Sequence, residues 1–258
     1  MSRAWFVFAV SLCLGLIALP VHAEFPINAK SVILMNMSTG RVLYEQNADE
    51  PIPPASLTKV MTMLLTREAI QAGSLTPDTV LTVSFEADAT RGSSMLLLEG
   101  EKVTVAELLQ GMAIVSGNDA CVVVAEQFPG GVEGFVNLMN EKAQTLGMDS
   151  TLFKNPHGLP AQGQVTTARD MLRLAVEYLH RFPEALAVHS QTHLTRKDFC
   201  PRRNTNHLLG RCPGVDGLKT GYVSASGFNI IATAERDGTR LVAVVLGAVT
   251  PGVRNRET

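Results

Sequence analysis

"GFNIIATAERDGTRLVAVVLGAV", residues 227–249, sets two apolar, β-branched runs on either side of Asp237-Gly238. Asp-Gly between such runs signals a tight hairpin, because both residues accept the positive φ that the turn demands. The stretch before it, "GVDGLKTGY" (214–222), extends the strand pattern upstream. At the other end of the chain, "SVILMNMSTGRVLYEQN" (31–47) reads as two strands around Ser38-Thr39-Gly40. Strands at both ends with helices between them predict an α/β (α+β) fold. Its simplest form is one antiparallel sheet of mixed connectivity, built from both ends, with a helical region inserted.

The middle of the chain is helical. Pro51, Pro53 and Pro54 stop extended structure, and from Ser56 apolar residues recur at Leu57, Val60, Met61, Leu64, Leu65 and Ala69, with Gly73 as the stop. Residues 74–103 are short and mixed. Thr104 and Glu107 have capping-box spacing ahead of the stripe Val105, Leu108, Leu109, Met112 and Ala113. That helix ends at "VSGN", a third runs from about Asp119 to Gln127, and others are expected at 133–146 and 167–181. There is no internal repeat, low-complexity tract or interior linker.

Bulk properties exclude several classes. The 258 residues are 46% hydrophobic, enough for a substantial core. Basic and acidic residues, 22 against 24, nearly cancel without a basic block, so nucleic acid is not an expected partner. Arg3, the apolar run that follows it and Val21-His22-Ala23 form a secretory signal, 1–23, cleaved after Ala23. The length of the run leaves an uncleaved anchor as the alternative. Leu12 before Cys13 argues against a lipoprotein. The catalytic domain is then 24–258, outside the cytoplasm. There, Cys200 and Cys212, bracketing "CPRRNTNHLLGRC", are expected to form a disulfide, with Cys121 a buried thiol. No CxxC or HxxxH spacing points to a metal, and no cofactor is implied.

"SLTK" (56–59) sets a serine and a lysine on neighbouring turns of one helix face. Serine is a weak nucleophile unless a base takes its proton, and lysine is a base only when neutral, which needs burial or a nearby cation. In the first turn the Ser56 N–H lacks an intrahelical acceptor and is available to a developing oxyanion. Alone this is weak: SxxK arises by chance roughly once in a chain of this size, usually as a plain helix start. Two further segments add to it. "SGN" (116–118) sits at a helix–helix junction, where Ser116 and Asn118 can relay protons and hold an amide; a capped polar turn would read the same way. "KTG" (219–221) sits on a strand. Lys219 can act as the second cation that keeps Lys59 neutral, Thr220 can bond a carboxylate, and Gly221 leaves room for an extended chain beside the strand.

In this order the three segments resemble the SxxK, SxN and KTG set of penicillin-binding proteins and serine β-lactamases. "NADEPIPPASLTKVMT", "RGSSMLLLEGE", "LLQGMAIVSGNDAC", "FVNLMNEKAQTLGM" and "GVDGLKTGY" are similar to one branch, the low-molecular-mass D-alanyl-D-alanine carboxypeptidases, over about residues 29 to 250. The resemblance implies a β-lactamase/transpeptidase-like fold with a five-stranded antiparallel sheet flanked by helices. It implies Ser56 as acylated nucleophile, Lys59 as base, Ser116 as proton relay and Asn118 as an amide contact. Lys219 and Thr220 would face the substrate carboxylate, beside Gly221, and the N–H groups of Ser56 and Tyr222 would form the oxyanion hole. The implied partners are peptidoglycan pentapeptide and β-lactam antibiotics, in a bacterial periplasm or cell-wall space. A β-lactamase and an inactive penicillin-fold binder are the alternatives. Against the former, the loop "KNPHGLPAQGQ" (154–164) holds no acidic residue, and Glu177 and Glu184 are expected to face solvent.

The chain departs from that branch in places. Tyr222 stands where histidine often follows KTG. Val249 and Thr250 stand where an arginine often binds substrate, and arginines come only at 254 and 256. The branch normally continues past "RNRET" into a covering helix, a β-rich domain and a membrane anchor. Without that helix, one sheet face is expected to expose residues such as Ile230, Leu241 or Val245.

Overall fold

The structure is a computed structural model that describes residues 27–197 and 199–258. The expected signal segment lies outside the described residues. The strands are β1 (Ser31–Asn36), β2 (Arg41–Gln46), β3 (Val80–Thr82), β4 (Lys102–Thr104), β5 (His193–Leu194), β6 (Arg202–Arg203), β7 (Val215–Val223), β8 (Gly227–Arg236) and β9 (Thr239–Ala248). The helices are α1 (Lys59–Gln71), α2 (Phe85–Asp88), α3 (Val105–Gln110), α4 (Asn118–Ala125), α5 (Gly131–Thr145), α6 (Ala168–Arg181), α7 (Leu186–His189) and α8 (Pro251–Glu257).

The main sheet is five-stranded and antiparallel, in the order β2-β1-β9-β8-β7, so both ends of the chain build it as the strand pattern predicts. Asp237 and Gly238 take φ of 48° and 70°, the geometry that a two-residue hairpin needs. Thr104 and Glu107 form the expected capping box. The pairing of β3 with β4 is the element that the mixed 74–103 stretch concealed, because each strand is only three residues long.

One sheet face packs on the helices, where Ile33, Leu218, Ile231, Val242, Val244 and Leu246 join one core with α1, α4 and α6. α1 runs through that core and is buried nearly all round. Its polar residues bond to nearby carbonyls, Thr62 Oγ1 to Pro156 O at 2.5 Å and Thr66 Oγ1 to Thr62 O at 2.7 Å.

The other face corrects an expectation. Ile230 and Val245 are 0% exposed, and Leu241 is only partly exposed. Ala29, Leu208 and Val253 pack over this face in a second apolar cluster. The short α8 folds back on β8 and β9. It is fastened to the start of the chain by the Glu257 carboxylate, which accepts from Asn28 N at 2.9 Å and Ala29 N at 3.0 Å. Among the described residues, no helix is long and apolar enough to cross a membrane.

The expected Cys200–Cys212 disulfide is not formed; both are free thiols, as is the buried Cys121. Cys200 lies beside Met95 and Leu96 on the helical side, whereas the Cys212 sulfur faces Arg236 of β8, 3.6 Å from Nη2. The segment between the cysteines spans from one region to the other, so closeness in sequence does not become closeness in space. Thiol titration of the chain from residue 24 should find Cys200 and Cys212 reactive in the native state and Cys121 only after unfolding. A single thiol in denaturant would restore the bridge.

Candidate active site

Three separate segments converge on Ser56. Residues Ala55–Thr58 form a 3-10 turn that leads directly into α1, which puts Ser56 in the turn and Lys59 at the first α-helical position. The turn is entered through Ala55 at φ 50°, a left-handed conformation that costs a non-glycine residue about 1 kcal/mol and is held by close packing. Gly221 of β7 lies against it: a Cβ there would stand 3.1 Å from both the Ala55 Cβ and the Ser56 N. Gly158 lies closer still, and a Cβ there would meet the Ala55 carbonyl oxygen at 1.8 Å. The two glycines are what allow a strand and a loop to press on the nucleophile turn.

Lys59 is fully buried, and its ammonium donates to Ser56 Oγ at 3.0 Å, Asn118 Oδ1 at 2.7 Å and the His157 carbonyl at 2.6 Å. Burial lowers its pKa to about 8, against the opposing pull of Asp119. The fall from 10.5 raises the neutral fraction at a given pH below 8 roughly 300-fold. Desolvation is thus the principal cause, where the sequence suggested Lys219. Lys219 is buried as well, and its pKa is pushed well down by burial first and by repulsion from Lys59 second. Lys219 Nζ donates to Ser116 Oγ at 3.0 Å and to the Thr220 carbonyl at 2.8 Å. Two hydroxyl–ammonium pairs, Ser56–Lys59 and Ser116–Lys219, therefore face one cleft.

Ser116 takes φ 63° between the π-helical turn Gly111–Val115 and α4. Asn118 opens α4, accepting from Lys59 and donating through Nδ2 to the Arg91 carbonyl at 2.7 Å. The next residue, Asp119, is 1% exposed. Its carboxylate accepts from Ser94 Oγ at 2.6 Å and from the N–H groups of Met95 at 3.0 Å and Leu97 at 3.1 Å. It clamps the 91–97 loop to the serine–asparagine junction. Thr220 donates to Thr205 Oγ1 at 2.8 Å, and Tyr222 is 54% exposed with its ring 4.4 Å from that of Phe228.

The structure thus brings Ser56, Lys59, Ser116, Asn118, Lys219, Thr220 and Gly221 together, with Tyr222 at the rim. It also shows supporting residues that sequence reasoning missed. His189 is buried and held neutral, its pKa lowered to about 3 by desolvation. Its Nδ1 lies 3.0 Å from the Leu218 carbonyl, which can only accept, so Nδ1 carries the proton. Nε2 then accepts from Tyr178 Oη at 3.1 Å, and that oxygen accepts from Arg67 Nε at 3.1 Å. This buried chain ties α1 to β7 one residue before Lys219. No motif marks it, because its members come from three distant parts of the chain. His157, on the 154–164 loop, serves Lys59 through its backbone carbonyl.

Removing the Asp119 clamp leaves the Met95 and Leu97 N–H groups buried without acceptors. Asp119→Ala should lower unfolding free energy by about 3 kcal/mol or more, since bonds to a charged group are worth about 1.5–3 kcal/mol each. Urea unfolding measures this, and a loss under about 1 kcal/mol would contradict the clamp.

Residues 19–250 match the family described as D-alanyl-D-alanine carboxypeptidase. The chain is 41% identical over 239 residues to the D-alanyl-D-alanine carboxypeptidase DacC of Escherichia coli (strain K12), covering 90% of this chain and 60% of that one. Among solved structures, the D-alanyl-D-alanine carboxypeptidase DacD from Francisella tularensis superposes with a TM-score of 0.87 at 34% identity, over 91% of this chain and 69% of that one. Penicillin-binding protein D2 from Listeria monocytogenes in its ampicillin-bound form superposes with a TM-score of 0.83 at 32% identity, over 91% of this chain and 96% of that one. The fold is that of the penicillin-binding proteins, and the chain belongs to the D-alanyl-D-alanine carboxypeptidase family.

Proposed function

We propose that this chain is a serine D,D-carboxypeptidase that removes the terminal D-alanine from peptidoglycan stem peptides, in a bacterial periplasm or cell-wall space. One observation carries the reading: the Ser56 hydroxyl is 3.0 Å from an amine that burial has brought to a pKa of about 8. Family membership supports the substrate class, and the chain spans 60% of the length of DacC.

In the proposed reaction Ser56 Oγ attacks the carbonyl carbon of the penultimate D-alanine while its proton passes to neutral Lys59. The Ser56 N–H, beside Gly221 of β7, and the Tyr222 N–H receive the oxyanion. The C–N bond breaks as the proton held by Lys59 passes through Ser116, which Lys219 orients, to the departing amine, and Lys59 is neutral again. Water then attacks the acyl-Ser56 ester, Lys59 again takes the proton, and serine is restored. β-Lactams enter the same first step. Their bulky adduct stays bound to the ring fragment, and no carboxylate lies on the 154–164 loop to activate water against it. Glu177 pairs with Arg181 at 3.7 Å and Glu184 with Arg67 at 3.1 Å, both in surface pairs.

Ser56→Ala should abolish the covalent penicillin adduct in intact-mass spectra, and Lys59→Ala should slow its formation about 100-fold or more, as loss of a general base does. An adduct on the Ser56→Ala protein would sink the assignment.

Acylation should also depend on pH with a definite sign. The neutral amine is the base, so the rate should climb tenfold per pH unit below about 8 and level off above it. A rate that stays flat from pH 6 to 9 would show that Lys59 is not the base.

The penicilloyl-enzyme should persist for minutes or longer while the protein releases D-alanine from a D-Ala-D-Ala peptide. Timed mass spectrometry and a D-alanine assay read both. Penicillin turnover many times per second without D-alanine release would make it a β-lactamase.

A further inference from the structure

Among the described residues β7 ends the main sheet, so no further strand holds its outer side. Just before Lys219, side chains do that work. The Gly217 carbonyl accepts from Asn206 Nδ2 at 3.0 Å, and the Leu218 carbonyl accepts from His189 Nδ1 at 3.0 Å. Both donors are buried. Each is held from behind through Asn204, whose Oδ1 accepts from Asn206 N at 2.8 Å and whose Nδ2 donates to the His189 carbonyl at 3.3 Å. A Cβ on Gly217 would stand 3.3 Å from the Leu186 side chain and 3.5 Å from that of His189, so α7 rests directly on the strand.

His189 differs from Asn206 in reaching the other half of the site. With the Nδ1 proton on Leu218, Nε2 accepts from Tyr178 Oη at 3.1 Å, and that oxygen accepts from Arg67 Nε at 3.1 Å. Arg67 lies on α1, about 12 Å along its axis from Lys59. α1 carries the base of the Ser56–Lys59 pair, and β7 carries Lys219 of the Ser116–Lys219 pair. Among the described residues no hydrogen bond joins the two pairs directly. The Arg67–Tyr178–His189 chain joins their two supporting elements from behind the cleft. The Leu218 carbonyl and the Lys219 N and Cα share one peptide plane. Fixing that carbonyl therefore fixes the direction in which the backbone presents the Lys219 side chain to Ser116. A proton transfer along hydrogen bonds weakens steeply as the donor–acceptor angle closes, so this direction matters to the relay.

We propose that His189, held by Tyr178 and Arg67, is a positioning residue for acylation: it aligns Lys219 with Ser116 so that a proton reaches the departing amine. It touches no reacting atom and acts only through the Leu218 carbonyl. This assignment rests on the carboxypeptidase reading.

The test exploits the leaving group. An amide nitrogen cannot depart without a proton, whereas a thiol ionises near pH 8.5 and leaves as the thiolate. Wild type, His189→Phe and His189→Asn are compared by kcat/KM on a D-Ala-D-Ala tripeptide and on its thioester analogue, in which sulfur replaces the last amide nitrogen. His189→Phe should lower the amide value about tenfold or more, part of the roughly 10²–10⁴ that a placed proton donor supplies. The thioester value should stay within about threefold. His189→Asn, whose side-chain amide can donate to the Leu218 carbonyl, should bring the amide-to-thioester ratio back to within about threefold of wild type. Equal losses on both substrates, or none on either, in a folded His189→Phe protein would overturn the proposal, because a merely structural role weakens both alike. If that variant does not fold, Tyr178→Phe decides: a ratio reduced threefold or more supports the proposal, and an unchanged one overturns it. A wild-type protein that penicillin acylates but that releases no D-alanine would refute the carboxypeptidase reading. Penicillin acylation of His189→Phe, Ser116→Ala and the double variant would then decide the role of His189. Losses that fail to add support it, and additive losses overturn it.

Discussion

A buried ammonium group with three acceptors organises this molecule. Lys59 cannot be taken out of water unless oxygen atoms meet it. They come from Ser56 on its own turn, from Asn118 at the start of α4, and from the His157 carbonyl. Satisfying that one group requires three remote segments to meet within a few ångströms. The left-handed Ala55 and Ser116, the glycine contacts at 158 and 221, and the Asp119 clamp are the local means by which they do. The same desolvation that makes the group costly also makes it a usable base near neutral pH. Stability and reactivity are thus set by the same atoms.

The fold and the reacting groups were legible in the sequence to different depths. Asp237-Gly238, the helical stripe after Ser56 and the Thr104–Glu107 box carry local rules, and local rules survive folding. The SLTK, SGN and KTG segments were legible because their residue types, order and separations resemble the motif set of one family. What failed depended on contacts between distant parts of the chain. Spacing alone suggested that Cys200 and Cys212 meet, but the segment between them runs from the Met95–Leu96 loop to Arg236. The bare sheet face was expected from the short C-terminus, but Ala29, Leu208 and Val253 assemble a cover from three regions. The Arg67–Tyr178–His189 chain carries no spacing signal of any kind.

The cause assigned to the Lys59 pKa shows the same divide. Sequence supplies the inventory of charges, and Lys219 was the obvious neighbour. Burial is a property of the assembled core, and it contributes most. The two serine–lysine pairs then form a unit in which adding a proton to one ammonium disfavours it on the other.

β7 ends the sheet, yet Gly217 through Gly221 are buried on it. Unpaired edges ordinarily invite strands from other molecules. Here the Ala55–Thr58 turn and α7 crowd that edge. A crowded edge leaves no room for a hairpin or sheet from a folded neighbour to dock along it. The same crowding guards the molecule against polymerising through its own open strand.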